Sequence, residues 1–188
     1  MHIGDKRWEV HVRDALEITR VLFARDALEE PGLEMAPPLD PPVRPAAGEP
    51  PISRPTPDEW SAWWEAALAA SLQHEGLTGE QLPQSVRSTA AALEGEFRAW
   101  PGRDVDTSID PDVGEGLAAV MEGLQGEVPV PEFTFFLLPC AEPFIVAISP
   151  DAVLCDRGII ASRSRTRTAL IAHLADQYGT AHRFGGSG

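Results

Sequence analysis

Residues 131–161 read PEFTFFLLPCAEPFIVAISPDAVLCDRGIIA, and this stretch decides the fold class. Phe133–Leu138 and Phe144–Ile148 are unbroken apolar runs, bounded by prolines and rich in aromatic and branched side chains, the texture of strands covered on both faces. Ser149-Pro150-Asp151 reads as a turn into a third strand, Ala152–Cys155, and Asp156-Arg157-Gly158 as a second turn into Ile159–Ala161. The expectation is a small antiparallel β-meander of three or four strands. A C-terminal helix over about 164–178, with Leu170, Ile171, Leu174, Ala175 and Tyr178 inward and Gly179 at its end, closes the sheet.

Upstream of this stretch the texture is helical. Thr56-Pro57-Asp58-Glu59 is a capping box, with threonine at the N-cap, proline at the first helical position and glutamate at the third. The helix that follows carries Trp60, Trp63, Trp64, Ala67, Leu68 and Ser71 on one broad face, and Gly76 supplies a stop. Tryptophan offers a large apolar area and one indole donor, which suits a core or a partner surface. The core reading is the one an apolar helical stripe favours, with at least one of the three indoles at its margin. A third helix spans about 83–99, with Val86, Ala90, Leu93 and Phe97 inward, and a fourth about 111–125 behind Asp110 and Pro111.

The N-terminal region reads as an amphipathic helix over 5–30, because Trp8, Val12, Ala15, Leu16, Leu22 and Phe23 recur at a 3.6-residue period. The run Trp8–Arg13 also alternates with period two, which admits a short strand and then a helix capped at Asp14. Ten of the 18 prolines lie between Pro31 and Pro57. Residues 31–55 therefore read as a proline-rich, polyproline-like connector. The expected organisation is α+β: an N-terminal amphipathic helical arm over 1–30, the connector over 31–55, one α+β domain over 56–182 and a flexible tail over 183–188. The helical N-terminal two thirds is acidic.

Charge narrows the partners. The formal net charge is −14; residues 1–130 hold 24 acids and 10 bases, whereas 131–188 hold five of each. Such a surface repels phosphate backbones and anionic lipids, so neither nucleic acid nor membrane is expected as a partner. No apolar run reaches the roughly 20 residues of a membrane span, and MHIGDKRWEV lacks a signal-peptide apolar region. Cytoplasmic residence is the expectation. Cys140 and Cys155 cannot make a disulfide framework and read as small buried hydrophobes.

Several chemical motifs fail on their own terms. In DVDTSIDPDVGE, Asp104, Asp106, Ser108, Asp110, Asp112 and Glu115 take positions 1, 3, 5, 7, 9 and 12 of an EF-hand loop, whose hard oxygens suit calcium. The sixth position, however, is Ile109 where glycine is needed, and the eighth is Pro111, which lacks a donor. Capping by Asp110 and dipole complementation by Asp112 and Glu115 account for the same acids. Gly114-Glu115-Gly116-Leu117-Ala118-Ala119 has dinucleotide-loop spacing but follows an acidic loop, where a pyrophosphate would be repelled. His173, Asp176 and His182 lack a third strong metal ligand and an HExxH context. No nucleophile elbow is present. No catalytic residue and no cofactor is expected.

RSRTRT, residues 163–168, is the one basic cluster. Arg163, Arg165 and Arg167 beside a helix start suit a phosphate or a carboxylate-bearing peptide, or neutralise acids of the same molecule. A body of charge −14 offers many near partners, which favours the intramolecular use. The functional expectation is a non-catalytic protein-interaction module, an adaptor or chaperone-like protein, with Trp8, Trp60, Trp63, Trp64, Arg163, Arg165 and Arg167 as partner-binding candidates. An enzyme acting through the His173 region or the Arg163–Arg167 cluster is the alternative, and a calcium-responsive module the second. A single amphipathic helix on a long connector must dock somewhere, so a homodimer built with that helix is expected.

Overall fold

The computed structural model describes residues 2–3, 8–30, 36–46, 54–77, 79–108, 115, 132–159, 162, 164–165 and 168. Its elements run β1 (His2–Ile3), β2 (Trp8–Asp14), α1 (Leu16–Ala27), α2 (Pro57–Gln73), α3 (Gln84–Ala99), β3 (Glu132–Leu138), β4 (Ile145–Ser149) and β5 (Ala152–Asp156). Helix and strand are mixed in one chain, as the α+β reading requires. The chain divides into two compact units, one of Met1–Arg13, Asp106–Leu137 and Ile145–Gly188, the other of Asp14–Val105 and Leu138–Phe144. Among the described residues no helix is long and apolar enough to cross a membrane.

The first unit holds the sheet, whose strand order is β1-β2-β3-β5-β4. This is not the expected meander, because β5 lies between β3 and β4 and the chain skips a position after β3. The N-terminal residues supply strands as well: β1 and β2 pair antiparallel, with Ile3 opposite Trp8. The single helix read over 5–30 is therefore a strand followed by a helix. Val10 and Val12 alternate with His11 and Arg13 over this segment, and branched residues at period two gain more from a sheet partner than from a helical turn. Asp14 ends β2 and does not cap α1, whose N-cap is Ala15 with no side-chain bond.

Within the sheet the middle is apolar on both sides. β5 is buried at all five positions, and Phe133, Phe135, Phe136, Leu137 and Leu138 of β3 are buried as well. Phe133 and Phe135, two residues apart on one face, meet edge to face at 5.1 Å between centroids. Ile159, the first residue of the expected Ile159–Ala161 strand, lies in a turn, and residues 160 and 161 lie outside the described residues. Arg157–Ile159 form a 3-10 turn that buries Ile159.

The second unit is a three-helix cluster. α1 is enclosed almost all round, with Ile18, Val21, Leu22, Phe23, Ala24 and Ala27 buried. It packs on α2 and α3 of its own chain, so the stripe expected to seek a second molecule is satisfied in cis. Phe23 meets Phe97 of α3 at 5.3 Å and Trp100 at 5.6 Å. Arg20 joins the same helices, with its guanidinium 5.3 Å from the Phe97 ring centre and 3.6 Å from Glu94. Of the inner face its spacing predicts, α3 buries Val86, Leu93 and Phe97, while Ala90 is half-buried. α2 ends at His74, which takes the left-handed conformation (φ 59°), two residues before the expected glycine stop.

The proline segment is no free connector where it is described. Arg25 is 6% exposed; it donates to the carbonyls of Ala36 and Pro37 at 2.5 and 3.0 Å and to Asp26 at 2.7 Å. Asp26 in turn accepts from Leu39 N at 3.0 Å. Leu39 is buried and forms an isolated bridge with Cys140, and Trp100 Nε1 donates to Pro41 O at 3.0 Å. A proline-rich strip has few donors of its own, so its carbonyls are met by Arg25 and Trp100 instead. The helices read over 111–125 and 164–178 lie outside the described residues, apart from isolated positions.

Candidate partner-binding edge

β4 is read from the sequence as a strand covered on both faces; the structure makes it an edge strand. It ends the strand order and pairs antiparallel with β5, with Ile145 opposite Cys155, Val146 opposite Leu154 and Ala147 opposite Val153. The register then shifts to Ser149 opposite Ala152, an irregularity that places Ile148 as the extra residue. Ile145 and Val146 are each 42% exposed, the exposed large hydrophobic residues of the described chain. Successive strand residues point to opposite faces, so β4 is open on both faces at this end. Ala147 is exposed too.

The local sequence explains this placement. Pro143 and Pro150 flank the strand, and proline cannot donate to a ladder, so it belongs on edges and at strand ends. Within Pro143–Pro150 there is no charge at all. Among the described residues no further strand pairs with the outer side of β4, and an apolar edge of this kind is the arrangement on which an extended segment adds as a further strand. Glu142 and Asp151, both exposed, bracket it. Ser149 Oγ donates to Asp151 Oδ1 at 2.5 Å, and Asp151 O accepts from Thr134 N at 2.8 Å, which fixes the β4–β5 turn.

The residues singled out in the sequence fall elsewhere. Trp60 and Trp63 are each 1% exposed and stack at 5.3 Å with planes 18° apart. They are core, and in this conformation neither is offered to a partner. Trp64 is half-buried at the margin. Trp8 lies in β2, opposite Ile3. Arg165 is turned inward on the buried Asp156, with 2.7 Å from Nη2 to Oδ2. Asp156 also accepts from Gly158 N at 3.0 Å, so this arginine clamps the turn after β5. Arg163, Arg167, His173, Asp176 and His182 lie outside the described residues.

The acidic loop is partly described. Asp104 pairs with Arg103 through both oxygens, at 2.9 and 3.2 Å. Asp106 accepts from Ser108 N at 2.9 Å, and the Ser108 side chain and backbone bonds hold its carboxyl below the ordinary aspartate value. Glu115 is helical and exposed, while Asp110 and Asp112 lie outside the described residues. Among the described residues no group of three or more His, Cys, Asp or Glu side chains is arranged to hold a metal ion.

A concavity of about 350 Å³ in the helical unit is lined by Arg25, Asp26, Glu29, Glu30, Leu39 and Val43 among others. Its Arg25–Asp26 pair is already committed to the proline strip, and the remaining charged groups on its wall are the carboxylates of Glu29 and Glu30. The β4 edge is the surface sequence reasoning missed. The signal was the pair of prolines at Pro143 and Pro150, which argues for an edge even where the run between them is wholly apolar. Comparison of the chain with protein-family models, with curated proteins and with solved structures finds no match.

Proposed function

We propose that this chain is a non-catalytic protein-interaction module, adaptor-like or chaperone-like, which takes up an extended segment of a partner protein along β4. The observation that carries the reading is the edge position of Ile145–Ser149 with Ile145 and Val146 each 42% exposed. Burying two such side chains and supplying a ladder partner is favourable at roughly 25 cal/mol per Å² of apolar area plus the backbone bonds. The helix over 164–178 belongs to the same proposal, as the element that closes the sheet. The setting is the cytoplasm, in keeping with Cys140 and Cys155, the two cysteines of the chain, which are buried as small apolar side chains.

Panning a display library of short random peptides against the intact chain tests this. The expected result is enrichment of sequences in which apolar and polar residues alternate, lost when Ile145→Asn and Val146→Asn are combined in a chain with an unchanged circular dichroism spectrum. Enrichment that survives the double substitution, or none with the unmodified chain, removes β4 as the binding edge.

A further inference from the structure

We infer that the concavity beside the C-terminal end of α1 is a binding site for a small aliphatic amine in its protonated form. The site is independent of β4 and stands or falls apart from that edge. All of its wall belongs to the helical unit. Pro38, Leu39, Pro42 and Val43 give it an apolar surface, and its volume of about 350 Å³ lies in the range of small-molecule sites. Its charge is one-sided. Arg25 and Asp26 neutralise each other at 2.7 Å, and Arg25 Nη1 and Nη2 and Asp26 Oδ2 are held by the proline strip. The two glutamates of the wall remain. Glu30 has Arg54 at 3.9 Å, whereas Glu29 is exposed and no cation among the described residues meets its carboxylate.

The way α1 ends works against the fold alone and in favour of a cation. Glu30 N donates to Arg25 O at 3.1 Å and Glu29 N to Asp26 O at 3.3 Å, the two bonds of a Schellman motif. The residue between Leu28 and Glu30 must then be left-handed. Glycine takes that position at least cost, but here it is Glu29, with φ 50°. A helix C-terminus also carries partial negative charge and disfavours a carboxylate beside it, yet two follow directly. A cation at this end offsets both the repulsion from the helix and that between the glutamates. The surrounding field agrees, since the helical unit holds 17 acids against 7 bases and attracts cations over neutral or anionic ligands. The apolar wall selects the body behind the charge. It offers few oxygens to a bare metal ion, whereas an alkyl chain buries against Val43 and the proline rings while its ammonium stays at Glu29.

Titrating hexylamine, hexanol and hexanoate into the intact chain at neutral pH, followed by NMR shift changes, tests the inference. The amine is expected to saturate near ~1 mM, the alcohol to bind at least ~5-fold more weakly, and the acid not to bind. Each methylene removed from the amine is expected to weaken it by up to ~4-fold. Glu29→Gln is expected to weaken the amine by about 3-fold and to leave the alcohol unchanged. Glu29→Gly is expected to weaken the amine as much while raising the melting temperature, because glycine suits the left-handed position. A loss of binding in a more stable protein separates a site from a merely structural role. No saturation by ~10 mM amine overturns the site. Equal binding of amine and alcohol, or an amine affinity that Glu29→Gln does not move, overturns recognition of the charge. An affinity indifferent to chain length overturns the part given to the apolar wall. Binding of a short lysine-containing peptide without binding of hexylamine assigns the concavity to a partner's side chain and overturns the small amine.

Discussion

Ser85 Oγ donates to Glu59 Oε1 at 2.7 Å, which ties the first turn of α3 to the capping box of α2. The other oxygen of the same carboxylate accepts from Thr56 N at 2.8 Å. One side chain thus closes a helix terminus and joins two helices 26 residues apart in sequence. The Thr56 backbone bond first, and then the Ser85 hydroxyl, hold the Glu59 carboxyl below the ordinary glutamate value of 4.5.

A depressed carboxyl pKa means that the unfolded chain binds the proton more readily. The stabilisation is complete above the unfolded value and is lost as pH falls through the folded one. Glu59→Gln is therefore expected to lower the melting temperature at neutral pH and to flatten its decline below about pH 4.5. Thermal melts of both proteins across pH 3 to 7 check this; parallel curves refute it.

The stacked pair Trp60 and Trp63 separates two substitutions that look alike in sequence. Trp63→Ala is expected to cost about 3–5 kcal/mol, the range for a large buried aromatic, whereas Trp64→Ala, half-buried, is expected to cost about 1 kcal/mol. The Trp63 indole nitrogen meets no acceptor among the described residues. Trp63→Phe is therefore expected to retain most of the stability, since no side-chain hydrogen bond is lost. Urea titration followed by circular dichroism gives the three values.

What was legible followed the range of the interaction. The α2 capping box is local chemistry among Thr56, Pro57 and Glu59, and it is present as read. The inward face Val86, Leu93 and Phe97 of α3 likewise follows from spacing alone. The N-terminal region was not decided locally: Trp8–Arg13 satisfies two periods at once, and its place beside β3, a strand more than a hundred residues away in sequence, is what makes it β. The strand order of the sheet is also largely non-local: the prolines at 143 and 150 point to an edge position for β4, but nothing in residues 133–156 calls for β2 on the other side of β3. Arg25 shows the opposite failure. Its period places a charge in a buried stripe, and only the carbonyls of Ala36 and Pro37 make that tolerable.

His74 ends α2 in the left-handed region with φ 59°. A side chain with a Cβ is disfavoured there, while glycine adopts it without that cost. The His74 backbone N–H bonds to Ala70 and Ser71 carbonyls and does not depend on the imidazole. His74→Gly is expected to raise stability by about 0.5–1 kcal/mol, read as a higher urea midpoint with an unchanged slope. His74→Val, with branching at Cβ, is expected to move the midpoint the other way.

Gly102 is required by contact rather than by backbone angle. A Cβ built there falls 2.4 and 2.5 Å from two carbons of the Trp100 ring and 2.8 Å from Pro41 Cδ. Trp100 cannot swing clear without giving up its bond to Pro41 O and its contact with Phe23. The proline ring is closed and has no alternative rotamer to adopt. Gly102→Ala is therefore expected to destabilise by about 1–3 kcal/mol, the usual cost of forcing extra volume into a packed site, although alanine lowers the entropy of the unfolded chain. The double variant Gly102→Ala with Trp100→Phe removes the six-membered ring atoms that clash, as well as the indole donor. Its cost is expected to fall below the sum of the two single substitutions, since both act on one contact. Urea titration of the four proteins completes the cycle, and simple additivity would show that the glycine serves some other purpose.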